Sequence, residues 1–162
     1  FPTSMASIVG AVEGLGNGTF GSSGTLSAVR VIADALSKTR IKKCGFCGVM
    51  LPVLEDSVLL SRVAEGKIIL DQLLLFSTVC GTGLYTIPLP GDISEGQLAA
   101  IILDVCSLSL AHDKPLTARL IPIPGKAAGE WTQFDSPYLG NTRVMPVPTN
   151  PMDRLLEATD KT

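Results

Sequence analysis

The stretch from Leu84 to Ile121 constrains the fold most, because it places one well-signalled helix between two short apolar runs. Leu84 to Leu89 reads as a strand. Ser94 and Gln97 then form a capping box, the pairing that satisfies two amide groups at a helix start. Leu98, Ile101, Ile102, Val105 and Leu108 recur at helical spacing to about Ala111 and are the expected buried face. Leu116 to Ile121 is the second strand, expected to stop at Pro122 and Pro124. Strands alternating with helices of this length set the fold class as α/β.

The alternation continues upstream. Phe46 to Leu51 is an apolar run bounded by Gly and Pro and reads as a buried strand. Asp71 opens a helix, Leu73 to Cys80, closed by Gly81 at the position that tolerates positive φ. Met5, Ile8, Val9, Val12 and Leu15 mark a helix over residues 4–15, after which Gly14, Gly16, Gly18, Gly21 and Gly24 break the pattern. Thr25 is expected to cap a helix reaching about Lys38, with Leu26, Val29, Ile32, Ala33 and Leu36 inward and Arg40, Lys42 and Lys43 beyond its end. Glu55 and Asp56 are expected in the first turn of a helix ending near Gly66. From Gly125 the periodicity weakens. Residues 1–147 read as one portion of a single domain, and 148–162 as a polar, flexible tail. The opening Phe1-Pro2-Thr3-Ser4, with the first methionine at Met5, reads as a fragment.

Composition excludes several classes. Hydrophobic residues make up 46% and charged residues 17%, with a mean hydropathy of +0.37, which is too apolar for a disordered chain. A net charge of −2 argues against nucleic acid, which requires a basic face to displace counterions. The uncharged run Gln72 to Gly91 is interrupted by Gly81, Gly83, Pro88 and Pro90, so no membrane span is expected. Cys44, Cys47, Cys80 and Cys106 read as small buried thiols of a reducing compartment, and the cytoplasm is the expected location.

Each short motif has a plain structural reading beside its functional one. Gly16-x-Gly18-x-x-Gly21 lacks the preceding strand and following acid of a dinucleotide site. The adjacent Gly21-Ser22-Ser23-Gly24-Thr25 is either a capped glycine turn or an anion site made of hydroxyls and free amides. Gly91-x4-Gly96 has Gln97 where a phosphate-binding loop needs lysine. Cys44-x-x-Cys47 suits half a zinc site or a redox pair, yet no second such pair follows and the two lead into a strand, which favours structural thiols. Cys80 sits at a helix C-terminus, where a thiolate is disfavoured. His112, the one histidine, reads as a partner of the preceding helix's C-terminal dipole. No metal site and no particular cofactor is implied. The loops Gly81-Thr82-Gly83 and Pro90-Gly91-Asp92 flank a strand, where α/β proteins place ligands.

Val79-Cys80-Gly81-Thr82-Gly83-Leu84, Ile87-Pro88-Leu89-Pro90-Gly91-Asp92, Thr117-Ala118-Arg119-Leu120-Ile121-Pro122 and Val144-Met145-Pro146, with Gly21-x-x-Gly24-Thr25 upstream, together resemble the C-terminal part of the "domain of unknown function 711" family, also called uncharacterised protein family 0210. The likeness runs from about residue 2 to about 147. It implies part of a pyruvate formate-lyase-like α/β barrel without glycyl-radical chemistry. Gly83-Leu84-Tyr85 departs from the Gly-Leu-Asp expected of the family, so any role of that acid is lost or moved.

The functional expectation is an enzyme acting on a small anionic metabolite. Ser22, Ser23, Gly24, Thr25, Gly81, Thr82, Gly83 and Asp92 would hold the ligand, and Arg119 would clamp a carboxylate. The alternative is a non-catalytic binding or regulatory protein using the same pocket. A third reading is a structural subunit whose apolar excess is buried in a homo-oligomer.

Overall fold

A computed structural model describes residues 3–45 and 47–148. Its regular elements are α1 (Ile8–Val12), α2 (Thr25–Ser37), α3 (Ser57–Ala64), α4 (Leu70–Cys80), β1 (Gly83–Pro90), α5 (Glu95–Ala111) and β2 (Thr117–Ile123). The chain is mixed α/β, and β1 and β2 form a two-stranded parallel sheet. Parallel strands need a long crossover, and α5 supplies it. The Ser94 hydroxyl accepts from the Gln97 amide at 3.2 Å while the Gln97 side chain accepts from the Ser94 amide at 3.0 Å, so the expected capping box is present. Gly81 closes α4 at φ 76°, which lets the chain turn directly into β1.

Leu84, Ile87 and Leu89 of β1 are buried in one core with Val29 of α2, Leu73 and Phe76 of α4, and Ile101 and Val105 of α5. The rings of Phe20 and Phe76 meet edge to face at 5.5 Å. In β1 an extra residue slips the register between Leu84 and Ile87. Thr86 takes φ 48° there, and its buried hydroxyl accepts from the Leu54 amide at 3.2 Å. A bulge of this kind re-aims the strand, and here the hydroxyl fixes the neighbouring segment.

Several expectations are corrected. The run to Leu51 is extended but is not a regular strand. It is tied to the end of α4 by the bond from the Val49 amide to the Cys80 carbonyl at 2.8 Å and meets β1 through an isolated Pro52–Tyr85 bridge. Its first residue, Phe46, and the tail from residue 149 lie outside the described residues. The helix expected over residues 4–15 divides into a 3₁₀ turn, α1 and a wider turn over Glu13–Asn17. Only Val9 and Val12 of its apolar set are buried; Met5 and Leu15 face outward. Ser7 starts α1 afresh by accepting from the Gly10 amide at 2.7 Å. Thr25 is the first residue of α2 and not its cap, which is Gly24 in a left-handed conformation. Asp56 is the cap of α3, and Glu55 precedes the helix. On α5 only Ile101 and Val105 of the expected face are buried, and Ile102 is exposed. Strand β2 continues through Pro122 to Ile123, since an edge strand tolerates proline where no ladder bond is required. Cys44, Cys47 and Cys106 are exposed, and only Cys80 is buried. Among the described residues no helix is long and apolar enough to cross a membrane.

Candidate functional site

The eight residues of β1 separate the two expected ligand loops by roughly 23 Å, at about 3.3 Å per residue. Gly81–Gly83 stand at its N-terminal end and Asp92 beyond its C-terminal end, so one small ligand cannot touch both.

At the C-terminal end the two strands leave through loops that touch. The Gly91 amide donates to the Lys126 carbonyl at 2.9 Å, and the Lys126 amide donates to the Ile123 carbonyl at 3.1 Å. A side chain at Gly91 would stand 2.3 Å from the Ile123 carbonyl oxygen, so only glycine allows the loops this close. The resulting cleft, about 340 Å³, is lined by Gly91, Asp92, Gly125, Lys126, Ala127 and Glu130. It combines one ammonium with two carboxylates at the strand ends where α/β proteins bind ligands. Glu130 is turned back to accept from the Ala127 amide. The sequence reading included Asp92 but missed Lys126 and Glu130. The signal was Pro124-Gly125, which marks where β2 ends and therefore where a second loop joins the first.

The N-terminal end holds a different cleft, about 320 Å³, whose lining includes Ser37, Cys47, Cys80, Gly81, His112 and Lys114. Ser37 ends α2, Cys80 ends α4 and His112 caps α5. Three helix C-termini therefore meet here, and their partial negative charge calls for cations. The Lys114 ammonium donates to the Cys47 carbonyl at 2.9 Å, and Lys43 donates to the Ser37 carbonyl. A side chain at Gly81 would stand 2.5 Å from the Lys114 Nζ. The buried Thr82 hydroxyl donates to the Val49 carbonyl at 3.0 Å, tying the extended segment to β1. Gly83 has φ 98°, and a Cβ there would stand 2.3 Å from the Thr117 carbonyl oxygen. Thr82 and Gly83 are thus committed to holding the strands together.

The Ser22–Thr25 turn closes on itself. Ser22 donates its hydroxyl to the Thr19 carbonyl at 2.5 Å, and the buried Thr25 hydroxyl accepts from the Gly21 amide at 3.0 Å. Ser23 and Gly24 are exposed. Arg119 on β2 is ion-paired with Glu55 at 3.0 Å, so the carboxylate it clamps is the chain's own. Glu13 is held below the usual carboxylate range, first by its hydrogen bonds from Arg62, but this pair belongs to the α1–α3 packing and stands apart from both clefts. Among the described residues no group of three or more His, Cys, Asp or Glu is placed to hold a metal ion.

A family model described as "Uncharacterised ACR (DUF711)" matches residues 1–141. The chain is 37% identical over 145 residues to a UPF0210 protein of Pyrobaculum aerophilum, covering 87% of this chain and 32% of that protein. It is 36% identical over 145 residues to a UPF0210 protein of Desulforudis audaxviator, with the same two coverages. A UPF0210 protein of Lactiplantibacillus plantarum matches at 31% over 153 residues, covering 92% of this chain and 34% of that protein. The chain spans about a third of the length of the curated relatives it matches.

Proposed function

Because this chain belongs to the DUF711 family, we propose that it contributes one wall of a small-molecule site that binds an anionic metabolite. The observation that carries this reading is the cleft at the C-terminal ends of the parallel pair, whose lining includes Asp92, Lys126 and Glu130. The Lys126 ammonium would hold the ligand's carboxylate or phosphate. Asp92 or Glu130 would exchange a proton with the bound molecule. The larger body would be a pyruvate formate-lyase-like α/β barrel working without a glycyl radical. The strand–helix–strand unit, with β2 half-exposed along its length, supports that expectation, since parallel strands are ordinarily covered on both faces.

The test is a thermal-shift titration of the chain with a panel of mono- and dicarboxylates and phosphorylated acids, repeated with Lys126→Ala. A stabilising anion whose effect is lost in the variant is the expected result. No stabilisation by any anion, or an effect that survives Lys126→Ala, would overturn it. For an anion that binds, NMR of the mixture separates the two readings: conversion identifies an enzyme, and binding without conversion identifies the ligand-binding or regulatory alternative.

A further inference from the structure

The Cys44-x-x-Cys47 pair was expected to be buried, and it is exposed. We propose that Cys44 and Cys47 are a thiol–disulfide modification site, oxidised reversibly by a low-molecular-weight disulfide of the glutathione class. The site stands on its own geometry and does not depend on the anion cleft.

Three observations bring the sulfurs together. Gly45 takes φ 64° directly after Cys44, a left-handed conformation of the kind turns use and glycine suits. The Cys47 thiol donates to the Cys44 carbonyl at 3.5 Å. With standard covalent lengths, this sets the Cys47 sulfur within roughly 6 Å of the Cys44 Cα, so the two thiols are neighbours in space. Finally, the two halves of the turn are held differently. Cys47 is anchored: its carbonyl accepts from Lys114 at 2.9 Å, and two residues on the Val49 amide donates to the Cys80 carbonyl. A side chain at the intervening Gly48 would stand 2.2 Å from that same carbonyl oxygen, so the anchor has no slack. Cys44 lies on the exposed stretch that follows α2. The backbone at Cys47 is held while both thiols are exposed a short distance apart, which gives a high effective concentration of one thiol at the other.

The chemistry balances as two exchanges. The Cys44 thiol loses its proton and attacks glutathione disulfide; one S–S bond breaks, and the departing glutathione thiolate takes up a proton. The Cys47 thiol then loses its proton and attacks the mixed disulfide at the Cys44 sulfur, releasing the second glutathione as its thiol. Two protein thiols are oxidised to one disulfide, and one glutathione disulfide is reduced to two thiols. An exposed disulfide closing so short a loop is readily reduced, so the reaction reverses.

The experiment is equilibration of the full chain carrying Cys106→Ser with graded ratios of reduced to oxidised glutathione, followed by acid quench, thiol counting and intact mass. The expected product has two fewer free thiols and a mass lower by about 2 Da, with no retained glutathione. It should vanish in Cys44→Ser and in Cys47→Ser, which instead keep one glutathione. The ratio at half-oxidation should be on the order of tenfold more reducing for the folded chain than for the same chain in denaturing urea, because the fold supplies the proximity. Persistent mixed disulfides on both cysteines, unreacted thiols under oxidising ratios, or equal midpoints in the folded and denatured chain would each overturn the proposal.

Discussion

Ser7 donates its hydroxyl to the Asp56 carboxylate at 2.6 Å across 49 positions of sequence, and both side chains are buried. The same carboxylate accepts from the Val58 and Leu59 amides at the start of α3, and from the Val9 amide at the start of α1. One acid therefore caps two helices and joins them.

Replacing Asp56 with Ala leaves the buried Ser7 hydroxyl without an acceptor and unpairs the Val9, Val58 and Leu59 amides. A single lost cap costs about 1 kcal/mol, and bonds to a charged acceptor about 1.5–3 kcal/mol. Asp56→Ala is expected to lower stability in urea unfolding by about 3 kcal/mol, and Ser7→Ala by about 1 kcal/mol. In a double-mutant cycle the two losses should be less than additive, because the Ser7 hydroxyl has no acceptor to donate to once Asp56 is gone.

Glu13 receives two 2.7 Å bonds from Arg62, at Nε and Nη2, and a third from the Phe20 amide. The Arg62 hydrogen bonds, first among the causes, hold Glu13 below its ordinary value near 4.5. A depressed carboxylate contributes stability that is full above the unfolded-state value and is lost as pH falls through the folded-state value. Stability should thus decline from about pH 4.5 downward, and Glu13→Gln should flatten that acid limb while costing about 1 kcal/mol at neutral pH. Urea unfolding at stepped pH measures both; an unchanged acid limb in the variant would refute the assignment.

Gly83 combines a positive φ with a Cβ position 2.3 Å from the Thr117 carbonyl oxygen. Gly83→Ala is expected to cost about 3 kcal/mol, from left-handed strain together with the displacement of β2. Weaker amide-exchange protection at Thr117, whose amide donates to Thr82, would locate the damage at the strand pair.

The Arg119–Glu55 pair is about half-exposed on the arginine side, and exposed pairs are worth little. Arg119→Ala should therefore change stability by less than about 1 kcal/mol. If Arg119 exchanges Glu55 for a ligand's carboxylate, Glu55→Gln should strengthen the binding of carboxylates, measured by titration calorimetry; unchanged affinity in both variants would remove Arg119 from the site.

The sequence by itself determined what depends on neighbours along the chain. The Ser94–Gln97 box, the glycine stop at Gly81, the run Leu84–Leu89 and the family motifs are all local patterns, and α5, the end of α4 and β1 follow from them. Tertiary structure decided what depends on distant partners. Asp56 serves a helix begun 49 positions earlier at Ser7, and Arg119 pairs with Glu55 across 64 positions. Local spacing carries no record of such partners. The site divides in the same way. Loops on either side of β1 are adjacent in sequence, but strand length sets Gly81–Gly83 far from Asp92. Lys126 and Glu130 join Asp92 only because β2 lies parallel to β1 and returns its own C-terminal loop to the same end.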